Sequence, residues 1–277
     1  MQISKRKGDV KMNILVCIKQ VPDTTMIKID PVTNTLVRDG VPSIVNPFDG
    51  YALEVAVRLK ESVGGKVTVA TMGPPQAVNA LRECLAVGAD EAYLISDRAF
   101  GGSDTLATSF VLATSIRAVE EKVGEKFDII FCGKQAIDGD TGQVGPSMAE
   151  HLQYPQITYA SDVTAEEGRV VVKRECDKGY DYIYTALPAI ITVVKTPNEP
   201  RLATIRSKLA AQRAKINTLT AADIQIDTAL CGLKGSPTKV KKTFTPVHEK
   251  NGIIIEDAEP EEAVTKLMSL LSDAKLI

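Results

Sequence analysis

The stretch "GKQAIDGDTGQVGP", residues 133 to 146, concentrates groups able to do chemistry: the carboxylates of Asp138 and Asp140, the amine of Lys134, and glycines at 139, 142 and 145. Glycine lets backbone N–H groups approach a ligand closely. A helix that starts after such a loop adds unpaired amides and roughly half a positive charge, a setting that suits a phosphate. Spacing rejects two familiar alternatives. A P-loop needs an earlier glycine and a Ser or Thr after Gly133-Lys134, and an EF-hand needs a closing glutamate that this loop lacks. A magnesium ion on both aspartates and a plain glycine-rich connector remain open as readings.

The loop follows the apolar run "DIIFC" and precedes "SMAEHL", between a strand and a helix. In an open parallel α/β sheet, ligands gather at the carboxyl ends of the strands. Three other stretches reach strand ends: "CIKQVPDT" with Cys17, "NPFD" with Asn46 to Asp49, and "ATMGPP" with Met72 and Gly73. Asn46 and Asp49 also fit plain roles as a helix N-cap and a first-turn acid. No catalytic residue and no metal-ligand set emerges. His151 and His248 stand outside any nucleophile motif, and the five cysteines, at 17, 84, 132, 176 and 231, never take C-x-x-C spacing. A nucleotide site without acid–base groups leaves the chemistry to a bound cofactor.

Positioning these groups requires an alternating architecture, and the hydrophobic pattern supplies it. "NILVCI", "KVTVA", "EAYLI" and "DIIFC" are short β-rich runs separated by helical patterns, which predicts an α/β fold with a doubly wound, mostly parallel sheet. One helix should start at Asn46-Pro47 and bury Ala52, Val55, Ala56 and Leu59. A second spans "GPPQAVNALRECLAVGAD" and stops at Gly88, and a third runs from Asp104 to about Val123. "IKIDPVTNTLVRDG" predicts a hairpin excursion, and residues 156 to 186 an antiparallel meander turning at Glu167-Gly168 and Lys178-Gly179. "PAIITVV" reads as a buried strand.

After "NEPRLAT" come a basic helix, "IRSKLAAQRAKI", a "TAAD" resembling a capping box, a poorly patterned stretch over 224 to 250, and the amphipathic helix "EPEEAVTKLMSLLSDAKLI". The division expected is a flexible extension over 1–11, an α/β nucleotide-binding domain over 12–218, and an arm with a helix over 219–277, suited to a partner or to its own domain.

The 277 residues are 44% hydrophobic and 25% charged, enough for a substantial core. With 33 basic and 35 acidic residues the net charge is -2, which offers nothing to nucleic acid or an anionic membrane. No apolar run approaches the ~20 residues of a membrane span, and residues 1 to 11 lack the apolar core of a signal peptide. A cytoplasmic location is the default expectation.

"CIKQVPDT", "NPFDGYALEVAVRLKE", "GKQAIDGDTGQVGP" and "NEPRLAT", in that order and spacing, resemble the β subunits of electron transfer flavoproteins, from Met12 to Ile277. The resemblance implies a domain that pairs with an α subunit carrying the redox FAD and that holds an adenine nucleotide of its own. Matched motif by motif, this nucleotide falls on Cys17, on Asn46, Pro47, Phe48 and Asp49, on Met72, and on Gly133, Lys134, Gln135, Ala136, Ile137, Asp138, Gly139, Asp140, Thr141, Gly142, Gln143 and Val144.

"VPDT" at 21–24 and "DGDTGQVGP" at 138–146 look like the electron-bifurcating, anaerobe-type members, whose second nucleotide is an FAD that accepts a hydride from NADH. Respiratory members hold AMP there instead. The bifurcating likeness implies one electron sent to ferredoxin and the other, through the α-subunit FAD, to a partner dehydrogenase or reductase. The family's recognition segment for that partner is matched by Asn198, Glu199, Pro200 and Arg201, with Arg206, Lys208 and Arg213 on the helix beyond. Lys195, Thr196 and Pro197 stand where respiratory members place leucines. The alternatives are a simple carrier with structural AMP and, in another class, a universal-stress-type ATP-binding protein, whose glycine-rich phosphate motif is missing here.

Overall fold

Runs of Val, Ile and Leu such as these are buried on both faces only when helices cover the sheet from both sides. The computed structural model describes residues 11–23, 28–29, 36–37, 42–166, 168–239, 252–255 and 259–277. Its first half contains β1 (Met12–Cys17), β2 (Gln20–Pro22), β3 (Lys28–Ile29), β4 (Leu36–Val37), β5 (Ser43–Val45), α1 (Pro47–Val63), β6 (Gly65–Met72), α2 (Val78–Ala86), β7 (Glu91–Ile95) and α3 (Thr105–Val123). Then follow β8 (Ile129–Gly133), α4 (Val144–Leu152), β9 (Gln156–Glu166), β10 (Arg169–Cys176), β11 (Gly179–Ala186) and β12 (Ala189–Val193). The last elements are α5 (Ile205–Arg213), β13 (Asn217–Leu219), α6 (Gly232–Gly235) and α7 (Pro260–Asp273).

The principal sheet has nine strands in the order β11-β10-β9-β12-β8-β1-β6-β7-β13. It is parallel from β13 to β9, and β10 and β11 add the predicted antiparallel meander. α1 and α2 bury Ile14, Val16, Val69, Ile129 and Phe131 on one face, while α3 and α4 bury Leu15, Tyr93, Ile130 and Ile190 on the other. The doubly wound α/β class read from the alternation is therefore the class observed.

The order of connections creates the site. From β1 the chain moves outward through α1 to β6 and through α2 to β7, and α3 then carries it back to β8 on the opposite side of β1. Neighbouring loops at β1 and β8 thus leave in opposite directions, which opens a crevice beyond their carboxyl ends.

Several local expectations are refined. Pro47 opens α1, but the Asn46 side chain makes no capping bond, because it is engaged elsewhere. Asp104 does cap α3, its carboxylate accepting from the Ala107 amide at 3.0 Å. α2 stops at Ala86, and Gly88 lies just beyond it at a φ of 128°. Thr220 donates to the Asp223 carboxylate at 2.7 Å, yet the segment stays a turn and starts no helix. β2, β5 and β13 are three residues each, too short for a periodic signal.

The stretch after β13 has more of a home than its pattern suggested, since Ile224 and Cys231 are buried against the α3 side. α7, in contrast, buries none of its residues. β3 pairs with β4 as the predicted hairpin requires. Its turn, residues 1–10 of the expected extension, and His248 lie outside the described residues.

Gly145 shows how closely the α4 start is seated. A Cβ there would lie 2.6 Å from Thr192 Cγ2 and 2.8 Å from Cys132 Sγ. Gly145→Ala should lower stability by about 2 kcal/mol, read as a smaller urea midpoint at unchanged m-value.

Candidate functional site

Three parallel strands end side by side, β1 at Cys17, β6 at Met72 and β8 at Gly133. With the loops that leave them they enclose a cavity of about 430 Å³. Cys17, Asn46, Asp49, Met72, Gly133, Lys134, Gln135, Ala136, Gly139, Thr141, Gly142, Gln143 and Val144 line it. Pro47, Phe48, Ile137, Asp138 and Asp140 belong to the same segments but stand outside the lining.

Two side chains of the α1 entry hold the strand-end loops together. Asp49, in the first turn of α1, accepts the Lys19 amide at 2.7 Å with one oxygen and the Gly133 amide at 2.9 Å with the other. Asn46 donates to the Gln135 carbonyl at 2.8 Å and accepts the Ile137 amide at 3.1 Å. Gly133 must be glycine for this to work: a Cβ would fall 2.5 Å from Asp49 Oδ1 and 2.6 Å from Phe48 Cβ. Asn46 thus stands at the N-cap position without capping, and Asp49, the first-turn acid of α1, adds a cross-loop role to that place.

Burial pushes the Asp49 carboxyl up to about 7, against the opposing pull of the Asn46, Lys19 and Gly133 hydrogen bonds. Burial, and secondarily the Asp49 charge, raises the Cys17 thiol to about 12. The Cys132 thiol is also raised, by burial first and then by Cys17 and Asp49. Both thiols are neutral, and they form an apolar floor.

The two aspartates of the 133–146 loop are spent on its shape. Asp138 pairs with the Lys19 ammonium at 2.7 Å. Asp140, at a φ of 49°, accepts from Gln135 Nε2 at 2.7 Å. Lys134 lies over the Phe48 ring at 4.9 Å from its centroid. Among the described residues, no three His, Cys, Asp or Glu side chains stand close enough to share a metal ion.

One wall escaped the sequence reading. Phe100, Gly101, Gly102, Ser103 and Asp104, between β7 and α3, line the cavity too, with Thr105 and Leu112 of α3 and Met148 of α4. A signal was available in "FGGSDT", a glycine pair ahead of a capped helix, which is the same strand-end pattern as the 133–146 loop. The N-termini of α3 and α4 both open on the cavity, and Thr105 Oγ1 donates to Gln143 Oε1 at 3.1 Å between them. This wall leans on the C-terminal segment: the Gly232 amide donates to Ser103 Oγ at 3.0 Å, and Thr238 Oγ1 to the Asp104 carboxylate at 2.6 Å. Burial works to raise the Asp104 carboxyl, but the Thr238, Ala107 and Leu106 hydrogen bonds hold it below its ordinary value.

The residues matched to the recognition segment lie apart from the cavity. Glu199 accepts the Tyr51 hydroxyl at 2.6 Å, and Arg201 binds Glu54 at 2.9 Å and also Glu61. Burial acts to raise the Glu54 carboxyl, and Arg201 more than offsets it. Asn198 and Pro200 belong to the same fixed turn, with the Asn198 carbonyl accepting from Thr196 Oγ1 at 3.0 Å. Outward from it stand Arg206, Lys208 and Arg213, exposed on α5, together with Leu202 and Ile205 at 93% and 81% exposure.

An open, doubly wound α/β sheet with a glycine-rimmed cavity at its switch point defines the class of α/β proteins that bind ligands on backbone amides and helix termini. The family model described as "Electron transfer flavoprotein domain" matches residues 33–224. The electron transfer flavoprotein subunit beta of Megasphaera elsdenii is 52% identical over 270 residues, covering 96% of this chain and all of the relative. CarD of Acetobacterium woodii, named as a subunit of the caffeyl-CoA reductase-Etf complex, is 46% identical over 267 residues, covering 96% of this chain and all of CarD. Protein FixA of Azotobacter vinelandii is 47% identical over 269 residues, or 93% of this chain and 95% of FixA. The chain belongs to the electron transfer flavoprotein family, on its β-subunit side. Such β subunits carry electrons and pair with an α subunit.

The Asp49 clamp carries a signed pH dependence. With its carboxyl raised to about 7 in the folded chain and near 3.9 when unfolded, the folded state binds the extra proton between these values. Its contribution is present below about pH 4 and is lost as pH rises through about 7. Wild type should lose stability relative to Asp49→Asn across that window, by on the order of 1.4 kcal/mol per pH unit. Urea titrations of both proteins from about pH 5 to about pH 8 measure it. Parallel curves for the two would show that Asp49 does not titrate there.

Proposed function

We propose that the cavity is the adenine-nucleotide site of this β subunit, that FAD occupies it, and that NADH is the electron donor. The observation that carries the nucleotide reading is the pair of helix N-termini opening, with a glycine loop between strand end and helix, on one neutral floor. Its volume of about 430 Å³ falls within the ~300–1,000 Å³ usual for small-molecule sites. A Cβ at Gly139 would meet nothing within 4 Å, so the backbone there is open to a ligand.

The residues fit a phosphate held without a free cation. Lys19 is committed to Asp138, and Lys134 to the face of Phe48. Amides of the 139–145 loop and the α3 and α4 termini would take the phosphates, while Met72, Phe100 and Leu112 supply apolar walls for a ring system. When bound, a flavin supplies hydride acceptance and single-electron transfer. The chain's own part is to bind, to orient and to exclude water, with Asn46 and Asp49 setting the loop positions.

FAD is preferred over AMP because "VPDT" and "DGDTGQVGP" resemble bifurcating members, and the likeness to CarD, a subunit of a reductase-Etf complex, supports a reductase as the partner. On this reading ferredoxin receives one electron, and the α-subunit FAD passes the other to the dehydrogenase or reductase. Universal-stress-type ATP binding finds no support in the family match. α7, with Val264, Leu267 and Met268 exposed, packs on the α subunit. No helix among the described residues is long and apolar enough to cross a membrane, in keeping with action alongside soluble partners.

The αβ complex, purified and extracted, should release two FAD per heterodimer and bleach with NADH. One FAD with one AMP would overturn the FAD assignment. Reversing the charges of Arg206, Lys208 and Arg213 should slow electron delivery to the partner dehydrogenase by about tenfold or more at low salt with flavin content unchanged. Stopped-flow rates equal to wild type would remove this surface from the partner contact.

A further inference from the structure

The cavity wall between β7 and α3 is gripped from behind by the C-terminal segment, and the two interlock through glycines. A Cβ at Gly102 would lie 2.6 Å from Leu233 Cγ, and one at Gly232, whose φ is 59°, would run into the Ala99 carbonyl. The Gly232 amide donates to Ser103 Oγ, which itself donates to the Phe100 carbonyl at 2.8 Å. Neither Ser236 nor Thr238 lines the cavity, yet both reach the residue that starts α3 there.

That residue, Asp104, is engaged at every polar group. Its Oδ1 accepts the Ala107 amide at 3.0 Å and so caps α3, while Oδ2 accepts the Thr238 amide at 3.0 Å and the Thr238 hydroxyl at 2.6 Å. The Asp104 amide donates to Ser236 Oγ at 2.8 Å, and that hydroxyl, on a residue only 4% exposed, donates onward to the Gly232 carbonyl at 2.6 Å. Two side chains 132 and 134 residues further along the chain thus hold the α3 N-cap by its backbone and by its carboxylate.

The charge of Asp104 makes this grip matter to a ligand. Although burial acts to raise the carboxyl, the Thr238 and Ala107 hydrogen bonds hold it below its ordinary value, so it stays ionised at neutral pH. A carboxylate at a helix N-terminus offsets the partial positive charge that would otherwise draw an anion. Beside a phosphate it is unfavourable unless other donors take up its charge. Two donors from Thr238 on a single oxygen do so, and bonds of this kind to a charged acceptor are short and strong.

We infer that Thr238 and Ser236 are positioning residues for the phosphate of a bound nucleotide, acting through Asp104. The inference rests on the reading of the cavity as a nucleotide site, and it gives the C-terminal segment a part in binding. The Thr238 hydroxyl lessens the negative charge that Asp104 presents to the phosphate, and Ser236 fixes the backbone from which α3 starts. The effect is confined to the anionic part of the ligand, because an uncharged nucleoside in the same cavity feels little of the Asp104 charge.

AMP is a part of FAD as well as the alternative occupant, and adenosine is the same group without its phosphate. Calorimetric titration of both into the full-length chain tests the inference. Thr238→Val keeps the side-chain shape and the backbone bond and removes only the hydroxyl. It should weaken AMP binding by about tenfold and leave adenosine binding unchanged, and Thr238→Ser should restore AMP binding. Equal losses for AMP and adenosine would assign Thr238 a merely structural role and overturn the inference, as would AMP binding equal to wild type. Failure of wild type to bind AMP removes the nucleotide reading and this inference together. Should the valine variant not fold, hydrogen exchange on wild type decides: AMP should slow the amides of residues 232–238, none of which lines the cavity, and unchanged exchange there overturns the inference while leaving the nucleotide reading intact.

Discussion

The carboxylate of Asp49, stretched between the amides of Lys19 and Gly133, is the constraint on which the cavity depends. Two parallel strands of an open sheet have no inherent reason to hold their outgoing loops in a fixed relation, because ladder hydrogen bonds end with the strands. One buried acid in the first turn of α1 provides that relation by accepting an N–H from each strand end. Asn46 extends it two and four residues further along the second loop. A buried carboxylate with no cation against it is costly, and here the amides must offset that cost, which makes the clamp sensitive to proton binding in a way that an ion pair would not be.

Much of the remaining site follows from keeping charge away from the floor. Lys19 is paired with Asp138, Lys134 lies on Phe48, and the thiols of Cys17 and Cys132 are held protonated by burial. The glycine-rich loop and the first turns of α3 and α4 then bring backbone to the cavity beside its apolar walls. Helix termini and amides hold an anion without the mobility of lysine side chains. Such a floor suits a site in which the bound group, not the protein, carries the chemistry.

The same chain builds its outer surfaces by fixing one set of side chains to free another. Arg201 and Glu199 are turned in upon Glu54, Glu61 and Tyr51, and this holds Leu202 and the basic helix α5 outward. Gly232 and Thr238, in the stretch that shows little pattern in sequence, buttress the 100–105 wall through Ser103 and Asp104, so a segment that looked like an arm begins as support for the cavity. Only beyond it does the chain present α7, whose Val264, Leu267 and Met268 are exposed among the described residues.

By itself the sequence determined the elements and their class. The β-rich runs, the helix starts at Asp104 and Pro47, the meander between residues 156 and 186 and the glycine loop after β8 were all legible, because each depends on local periodicity or on a residue's own backbone preference. Strand-end logic also found most of the lining. Tertiary structure decided what those residues do. Asn46 has the sequence of an N-cap and the geometry of a cross-loop staple; Asp138 and Asp140 have the look of ligands and serve as ties; "FGGSDT" joins the cavity only because α3 carries the chain back across the sheet. The physical reason is the range of the interactions. Periodicity and capping act within a few residues, whereas the clamp joins positions 30 and 84 residues apart, and no local pattern records a partner at that distance.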